Sequence, residues 1–279
     1  MPSIEENLAV WDGRYQWPAG GDEWSSPWGG PRAQWYGCLL PRLHGFLPAG
    51  SVLEIAPGHG RWTQFLKDNC ERLTLVDLSA ACIEVCKTRF AANPHIAYHV
   101  NDGVSLEMVP DGSIDFVFSF DSLVHTELEV LRGYLLQIAR KLTPNGVGFI
   151  HHSNLGQYRK KIRRERRIRG LLNRRFIQTL EPFLNTKLDH LHWRSPDVSA
   201  AAFREACAKA GLACVSQELI NWHDTPYLID CLSTFRRLDS RYARDCVLVE
   251  NPNFTDEAKR VAKLASLYAC APEEVFKVP

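Results

Sequence analysis

The residues best suited to chemistry lie in one short stretch, Val52-Leu53-Glu54-Ile55-Ala56-Pro57-Gly58-His59-Gly60-Arg61-Trp62, where an apolar strand runs into a glycine turn and then a helix. Glycine lets a backbone approach a ligand closely, and the free N–H groups of a helix start face an anionic atom. The same residues would also serve a plain tight turn. A dinucleotide fingerprint, G-x-G-x-x-G, reads here as Gly58-x-Gly60-x-x-Thr63 and lacks its third glycine.

Two more strand ends carry acids. Leu73-Thr74-Leu75-Val76-Asp77 ends on a carboxylate 17 positions after Gly60, where its two oxygens can accept from both hydroxyls of a ribose. Asn101-Asp102-Gly103 follows the next strand. Taken singly, each acid is also a helix cap or turn former. Together the three strand ends define one crevice at the carboxyl edge of a sheet, where open α/β folds bind ligands.

The elements that must position these residues are legible as short apolar runs alternating with amphipathic segments. Strands are expected at 51–56, 72–77, 96–100, 116–120, 146–151, 213–222, 229–236 and 245–250. Helices are expected at 34–47, 61–70, 80–92 and 127–142. Another should begin at Ser195 with Pro196 in its first turn and end at Gly211, and a terminal one should begin near Thr255. Strands separated by helices of this length imply right-handed βαβ units and a largely parallel sheet. The chain divides into a Trp-rich cap or lid (1–48), an α/β core (49–156), a basic helical insertion (157–194) and the remainder of the same domain (195–279).

Its 279 residues, 45% apolar and 23% charged, make the chain globular and exclude disorder and collagen. The 33 basic and 32 acidic side chains nearly cancel, but they are segregated. Residues 157–177 hold ten Lys or Arg against Glu165 alone, a local +9 that leaves −8 elsewhere. Nine cysteines with no C-x-x-C pair suit reduced thiols in a cytoplasmic protein, with neither a disulfide framework nor a zinc site. No basic-then-apolar leader begins the chain, and no apolar run is long enough to span a bilayer, so neither secretion by that route nor membrane integration is expected.

The Glu54-x-Ala56-x-Gly58-x-Gly60 form resembles the first motif of class I S-adenosylmethionine-dependent methyltransferases, with Ala56 where the family usually has glycine. Asp77, Asp102-Gly103, the 113–125 stretch and Leu142-Thr143-Pro144-Asn145-Gly146-Val147-Gly148 match the family's later motifs in order, so the resemblance covers roughly residues 50–155. It implies a Rossmann-like fold with a mostly parallel seven-stranded sheet, S-adenosyl-L-methionine as cofactor, and no metal. The cofactor-binding residues it implies are Glu54, Ala56, Gly58, Gly60, Asp77, Leu78, Asp102, Gly103 and Phe120. Within these, Glu54 would order the turn and face the methionine ammonium, Asp77 the ribose and Asp102 the adenine.

Methyl transfer to a hydroxyl needs a base, and histidine suits that role near neutral pH. His125, His151, His152, His190 and His192 are candidates. The catalytic set expected is His125 first, with Asp121 and His152. A metal site from His151, His190, His192, Asp121 and Asp224 matches no known catalytic zinc spacing.

For the acceptor, Phe120-Asp121-Ser122 stands where nucleobase amine methyltransferases carry Asn-Pro-Pro-Phe-like residues. The early tryptophans could form a lid whose rings stack on a sugar face, or simply pack the segment onto the domain. The basic block could lie on an anionic membrane as an amphipathic helix, hold an anionic acceptor, or be a solvated face. The Asp189–Arg194 stretch resembles methyltransferases of bacterial surface-glycan synthesis. Together these point to O-methylation of a sugar hydroxyl on a glycan or lipid-linked acceptor. The alternatives are a small-molecule O- or N-methyltransferase, an RNA methyltransferase, or an inactive binding protein; no stable nucleic-acid partner is expected.

Overall fold

The near-continuous apolar runs within 49–55 and 114–119 leave both faces of these strands apolar, so both must be covered. The computed structural model, which describes residues 3–171, 194–222, 225 and 227–268, shows how. Strands β1 (Ala49–Ile55), β2 (Cys70–Asp77), β3 (Ile96–Val100), β4 (Ile114–Ser119), β5 (Leu142–Ser153), β6 (Leu212–Ile220), β7 (Asp230–Arg237) and β8 (Val247–Asn251) form one sheet in the order β3-β2-β1-β4-β5-β7-β6-β8. This is the Rossmann-like α/β fold. Its sheet has eight strands, one more than the family resemblance implies, because β8 adds to β6 in parallel, Gln217 opposite Leu248. Strands β3 to β5 pair in parallel, and β7 runs antiparallel to both β5 and β6.

The helices are α1 (Ile4–Ala9), α2 (Pro31–Gln34), α3 (Leu40–Leu43), α4 (Thr63–Leu66), α5 (Ala80–Arg89), α6 (Leu128–Lys141), α7 (Arg159–Leu171), α8 (Ala200–Lys209) and α9 (Phe254–Leu267). On one face of the sheet, Val52, Phe116, Phe118 and Phe149 pack with Trp35, Leu39, Leu43 and Phe254. On the other, Leu53, Val117 and Ile150 pack with Leu131, Leu135 and Ile138 of α6 and Phe203 of α8. Each such fully buried side chain contributes about 1.5–3 kcal/mol.

The largest departures from the expected elements are in three helices. Helix α4 is a single turn where 61–70 was expected, because β2 already starts at Cys70 and Ala49 N–H bonds the Asn69 carbonyl at 3.0 Å. The helix expected over 34–47 starts earlier, at Pro31, and widens into a π turn at Trp35–Leu39 just before Pro41, which has no N–H to donate. Ser195 does not cap α8. Its N–H bonds the Val124 carbonyl and its carbonyl accepts from Ser153 Oγ, the chain turns at 196–197, and Ser199 caps the helix instead, accepting from Ala202 N–H at 3.2 Å.

Candidate functional site

In a sheet ordered β3-β2-β1-β4-β5, the chain leaves β1 and β4 toward opposite sides, which opens a crevice at their carboxyl ends. The β1 exit is the glycine turn. Ala56 and Gly58 have left-handed φ values of 56° and 57°, and Gly60 has φ 84°. A methyl group on Gly60 would meet the Phe90 ring at 2.5 Å, so this position needs glycine both for its conformation and for its packing. Ser122 Oγ, from the loop after β4, donates to the Ala56 carbonyl at 2.8 Å and ties the two strand exits together.

Asp77, at the tip of β2, accepts from Gly58 N–H at 3.0 Å and from Ser79 N–H at 2.8 Å. Burial pushes its carboxyl up to about 6, against the pull of those N–H donors. Glu54 lies one turn deeper. It accepts from Thr63 Oγ1 at 2.6 Å, and burial raises it to about 8. Glu54 therefore sits below the turn, tied to Thr63 at the start of α4, and does not line the cavity where it was expected to face the methionine ammonium.

The cavity above this floor has a volume of about 390 Å³. Ala56, Gly58, Asp77, Leu78, Gly103 and Phe120 line it, together with Asp121 and His125. This is a coherent place for a nucleoside: a carboxylate at one wall, a glycine turn a ligand can approach, and apolar Leu78 and Val130 beside Tyr134. Besides Glu54, two expected contacts do not reach it. Gly60 is committed to Phe90, and Asp102 is exposed, its carboxylate accepting from the N–H groups of Val104 and Ser105. At the third strand tip it is Gly103 that reaches the cavity.

The N-terminal segment roofs the crevice. Asp12 accepts from Ser79 Oγ at 2.6 Å and Ala81 N–H at 3.2 Å, which fixes the segment to the start of α5. Asn7 Nδ2 donates to the His125 carbonyl at 3.2 Å. The Trp17 ring stacks on His59, centroids 4.0 Å apart, and lies against Gly58. Trp11, Tyr15 and Trp24 line the cavity as well, with the Trp11 ring 5.7 Å from the His125 ring. The five early tryptophans thus split: three form the lid, while Trp28 packs on Trp222 and Phe254 and Trp35 on Phe65.

Behind the β4 exit lies a chain of buried charges that sequence reasoning did not foresee. Arg61 Nη2 donates to Asp121 Oδ2 at 2.9 Å. The Asp121 N–H donates to His151 Nδ1 at 3.1 Å. His151 Nε2 sits 3.3 Å from Asp230 Oδ2, poorly aligned for a hydrogen bond, and Arg194 grips the same carboxylate through Nε and Nη2 at 3.1 and 2.9 Å. The Arg194 guanidinium and the His151 contact hold Asp230 well below the usual carboxylate range, despite its complete burial. Arg61, Arg194 and Trp222 all line the cavity. Arg61 was visible in the glycine motif, but nothing in its spacing gave it a role.

His152 is corrected to a structural residue. Side chains alternate along β5, so His151 shares the face of Phe149 and points toward Phe120 and Trp222, while His152 points to the opposite face. There it stacks on Phe203 at 4.0 Å and bonds the Ser153 carbonyl and Ser233 Oγ, both at 2.8 Å, and burial pushes it down to about 3. His190, His192 and Asp224 lie outside the described residues. Among those described, no three His, Cys, Asp or Glu side chains gather as a metal site.

The basic helix α7 turns Tyr158, just before it, and Ile162 toward the core, with Lys161 Nζ 4.4 Å from the Tyr227 ring centroid. Arg159, Lys160, Arg163, Arg164 and Arg167 are exposed. Tyr158 and Ile162 are thus not available for insertion into a membrane. The Leu172, Phe176 and Leu180 part of the expected apolar face lies outside the described residues. No described helix is long and apolar enough to cross a membrane.

Residues 52–146 match a family described as a methyltransferase domain. No curated protein matches the chain. Among solved structures, a DhpI complex with S-adenosylhomocysteine is similar at 19% identity over 84% of this chain and 96% of that one, with a TM-score of 0.52. The N-methyltransferase NodS from Bradyrhizobium japonicum, also with S-adenosylhomocysteine, is similar at 16% identity over 84% and 96%, TM-score 0.52. A Leishmania major methyltransferase is similar at 13% identity over 84% and 82%, TM-score 0.53. At these identities the likeness is one of fold.

Proposed function

We propose that this S-adenosylmethionine-dependent methyltransferase, whose residues 52–146 form the methyltransferase domain, methylates a hydroxyl of a small acceptor, a sugar hydroxyl first among them, with His125 as base. The observation that carries the reading is the Trp11–His125 pair, which stands on the wall of the same cavity that Asp77 and Gly58 line. A tryptophan face is a rigid apolar platform for a sugar ring, and a histidine beside it can take the hydroxyl proton.

The cofactor, when bound, supplies a methyl group made electrophilic by its sulfonium. The chain's own part is to hold and to exclude. Asp77 offers carboxylate oxygens to the ribose hydroxyls, with the Gly58 turn, Leu78 and Gly103 around the nucleoside. The 4–24 segment keeps water from the reacting atoms. His125 accepts the acceptor proton as the new carbon–oxygen bond forms and the carbon–sulfur bond breaks in line, leaving a methyl ether and S-adenosylhomocysteine.

The exposed cations of α7 suit a peripheral, electrostatic contact with an anionic membrane surface or a lipid-linked acceptor, made without insertion of Tyr158 or Ile162.

The reading is tested by incubating the protein with labelled cofactor and a panel of sugars and resolving the products by mass spectrometry. His125→Ala should lower turnover ~10²–10⁴-fold while leaving S-adenosylhomocysteine affinity nearly intact. Unchanged turnover removes His125 as base, and methyl recovered on nitrogen alone assigns the enzyme to amine acceptors.

A further inference from the structure

We infer that the acceptor carries an oxyanion, a phosphate or carboxylate, held between Arg61 and Arg194; the inference rests on reading this cavity as the methyl-transfer site. Arg61 enters from the glycine turn, its guanidinium 4.7 Å from the Trp62 ring centroid, and it is 7% exposed. Its Nη2 is taken by Asp121, but its Nη1 is buried with no hydrogen-bond partner. A guanidinium N–H stripped of water and left unmatched is costly, so a ligand oxygen that accepts from it is favoured.

Arg194 lines the same cavity from the opposite side and is 8% exposed. Its Nε and Nη2 are spent on Asp230, and its face lies 5.5 Å from the Trp222 ring centroid. Among the described residues nothing accepts from its Nη1. Asp121 is close enough to act electrostatically on Arg194 as well as to pair with Arg61, so the two guanidiniums flank one carboxylate. Each arginine already has a carboxylate to fix its plane, which leaves two pre-oriented, poorly hydrated donors in a low-dielectric pocket. Arginine in that state selects charged oxygens over neutral ones, because charge-assisted hydrogen bonds are roughly twice as strong.

The oxyanion belongs to the acceptor because of where Arg194 sits. It is bonded to Asp230 of β7, whereas Asp77 stands on β2, and β1, β4 and β5 lie between them. Four strand spacings of about 4.8 Å put these two ends of the cavity roughly 19 Å apart.

The test uses the full chain and calorimetry. Inorganic phosphate, and acetate in parallel, are titrated into protein saturated with S-adenosylhomocysteine. At least one should bind, and Arg61→Gln and Arg194→Lys should each weaken that binding about tenfold or more. Arg194→Lys keeps a cation beside Asp230, so the fold is retained while the Nη1 donor is removed. Neither anion binding the loaded wild type, or both variants binding it equally well, overturns the proposal. If Arg61→Gln weakens S-adenosylhomocysteine but not 5′-methylthioadenosine, which lacks the amino-acid carboxylate, the arginine serves the cofactor and the proposal also fails. Failure of the methyltransferase reading is seen separately, as no binding of S-adenosylhomocysteine to the wild type. Anion titration of the ligand-free variants then still decides whether the two arginines form an oxyanion site.

Discussion

The backbone N–H of Asp121 donates to His151 Nδ1 at 3.1 Å, joining the end of β4 to the end of β5. Asp121 has a left-handed φ of 63°, a conformation that costs a residue with a Cβ on the order of 1 kcal/mol or more. The acceptor at Nδ1 puts the His151 proton on Nε2, facing Asp230. Through this contact a residue that does not itself line the cavity helps set where the Arg61–Asp121 pair stands.

His151→Phe keeps a ring against Phe120 and Trp222 but leaves the Asp121 N–H unmatched. It should lower unfolding free energy by ~1–3 kcal/mol in urea titration. An unchanged midpoint would show that Asp121 holds its conformation without His151.

Ala56 carries a Cβ at a φ of 56°, where the related motif has glycine. Ala56→Gly relieves left-handed strain at the cost of a more flexible unfolded chain and a small apolar contact. The strain is the larger, so thermal unfolding should rise by a few degrees, corresponding to ~0.5–1 kcal/mol. A lower melting temperature would mean that the methyl contact outweighs the backbone.

Glu54 and Asp77 make stability depend on pH. Both are raised by burial, Glu54 from 4.5 to about 8 and Asp77 from 3.8 to about 6, so the folded chain holds protons the unfolded one releases. Their contribution is present below the ordinary carboxylate range and is lost as pH rises through those values. His152, pushed down to about 3, acts in the opposite sense, its contribution being lost as pH falls below the ordinary histidine range of 6.5. Between about 6.5 and 8 the Glu54 effect is no longer opposed by His152 or reinforced by Asp77, so ligand-free protein should lose stability through it as pH rises there, by a few kcal/mol at most. Glu54→Gln should flatten that slope in denaturation curves taken across the window. An equally steep slope in the variant would assign it to other groups.

The exposed arginines and lysines of α7 predict binding to anionic vesicles that weakens steeply with salt, since surface charges are screened within about 8 Å at physiological ionic strength. Sedimentation with phosphatidylserine vesicles between low and high salt checks this. Salt-insensitive binding, or none, leaves α7 as a solvated helix.

What the sequence determined by itself was local and periodic. The alternation of apolar runs, the Ala56-Pro57-Gly58-His59-Gly60 turn and the strand-end position of Asp77 follow from contacts within a few residues, and all were legible. The tertiary structure decided everything that depends on which face of the sheet a side chain joins or what lies across the crevice. Adjacent histidines on β5 look alike in sequence, and only the packing of Phe203 on one side and Trp222 on the other separates His152 from His151. The family resemblance implies Asp102 as a ligand residue, but its carboxylate turns back onto its own loop. The early tryptophans become a lid only because Asp12 docks on Ser79, 67 residues away. Arg61 and Arg194 meet one cavity from opposite ends of the fold, a convergence that no local pattern encodes.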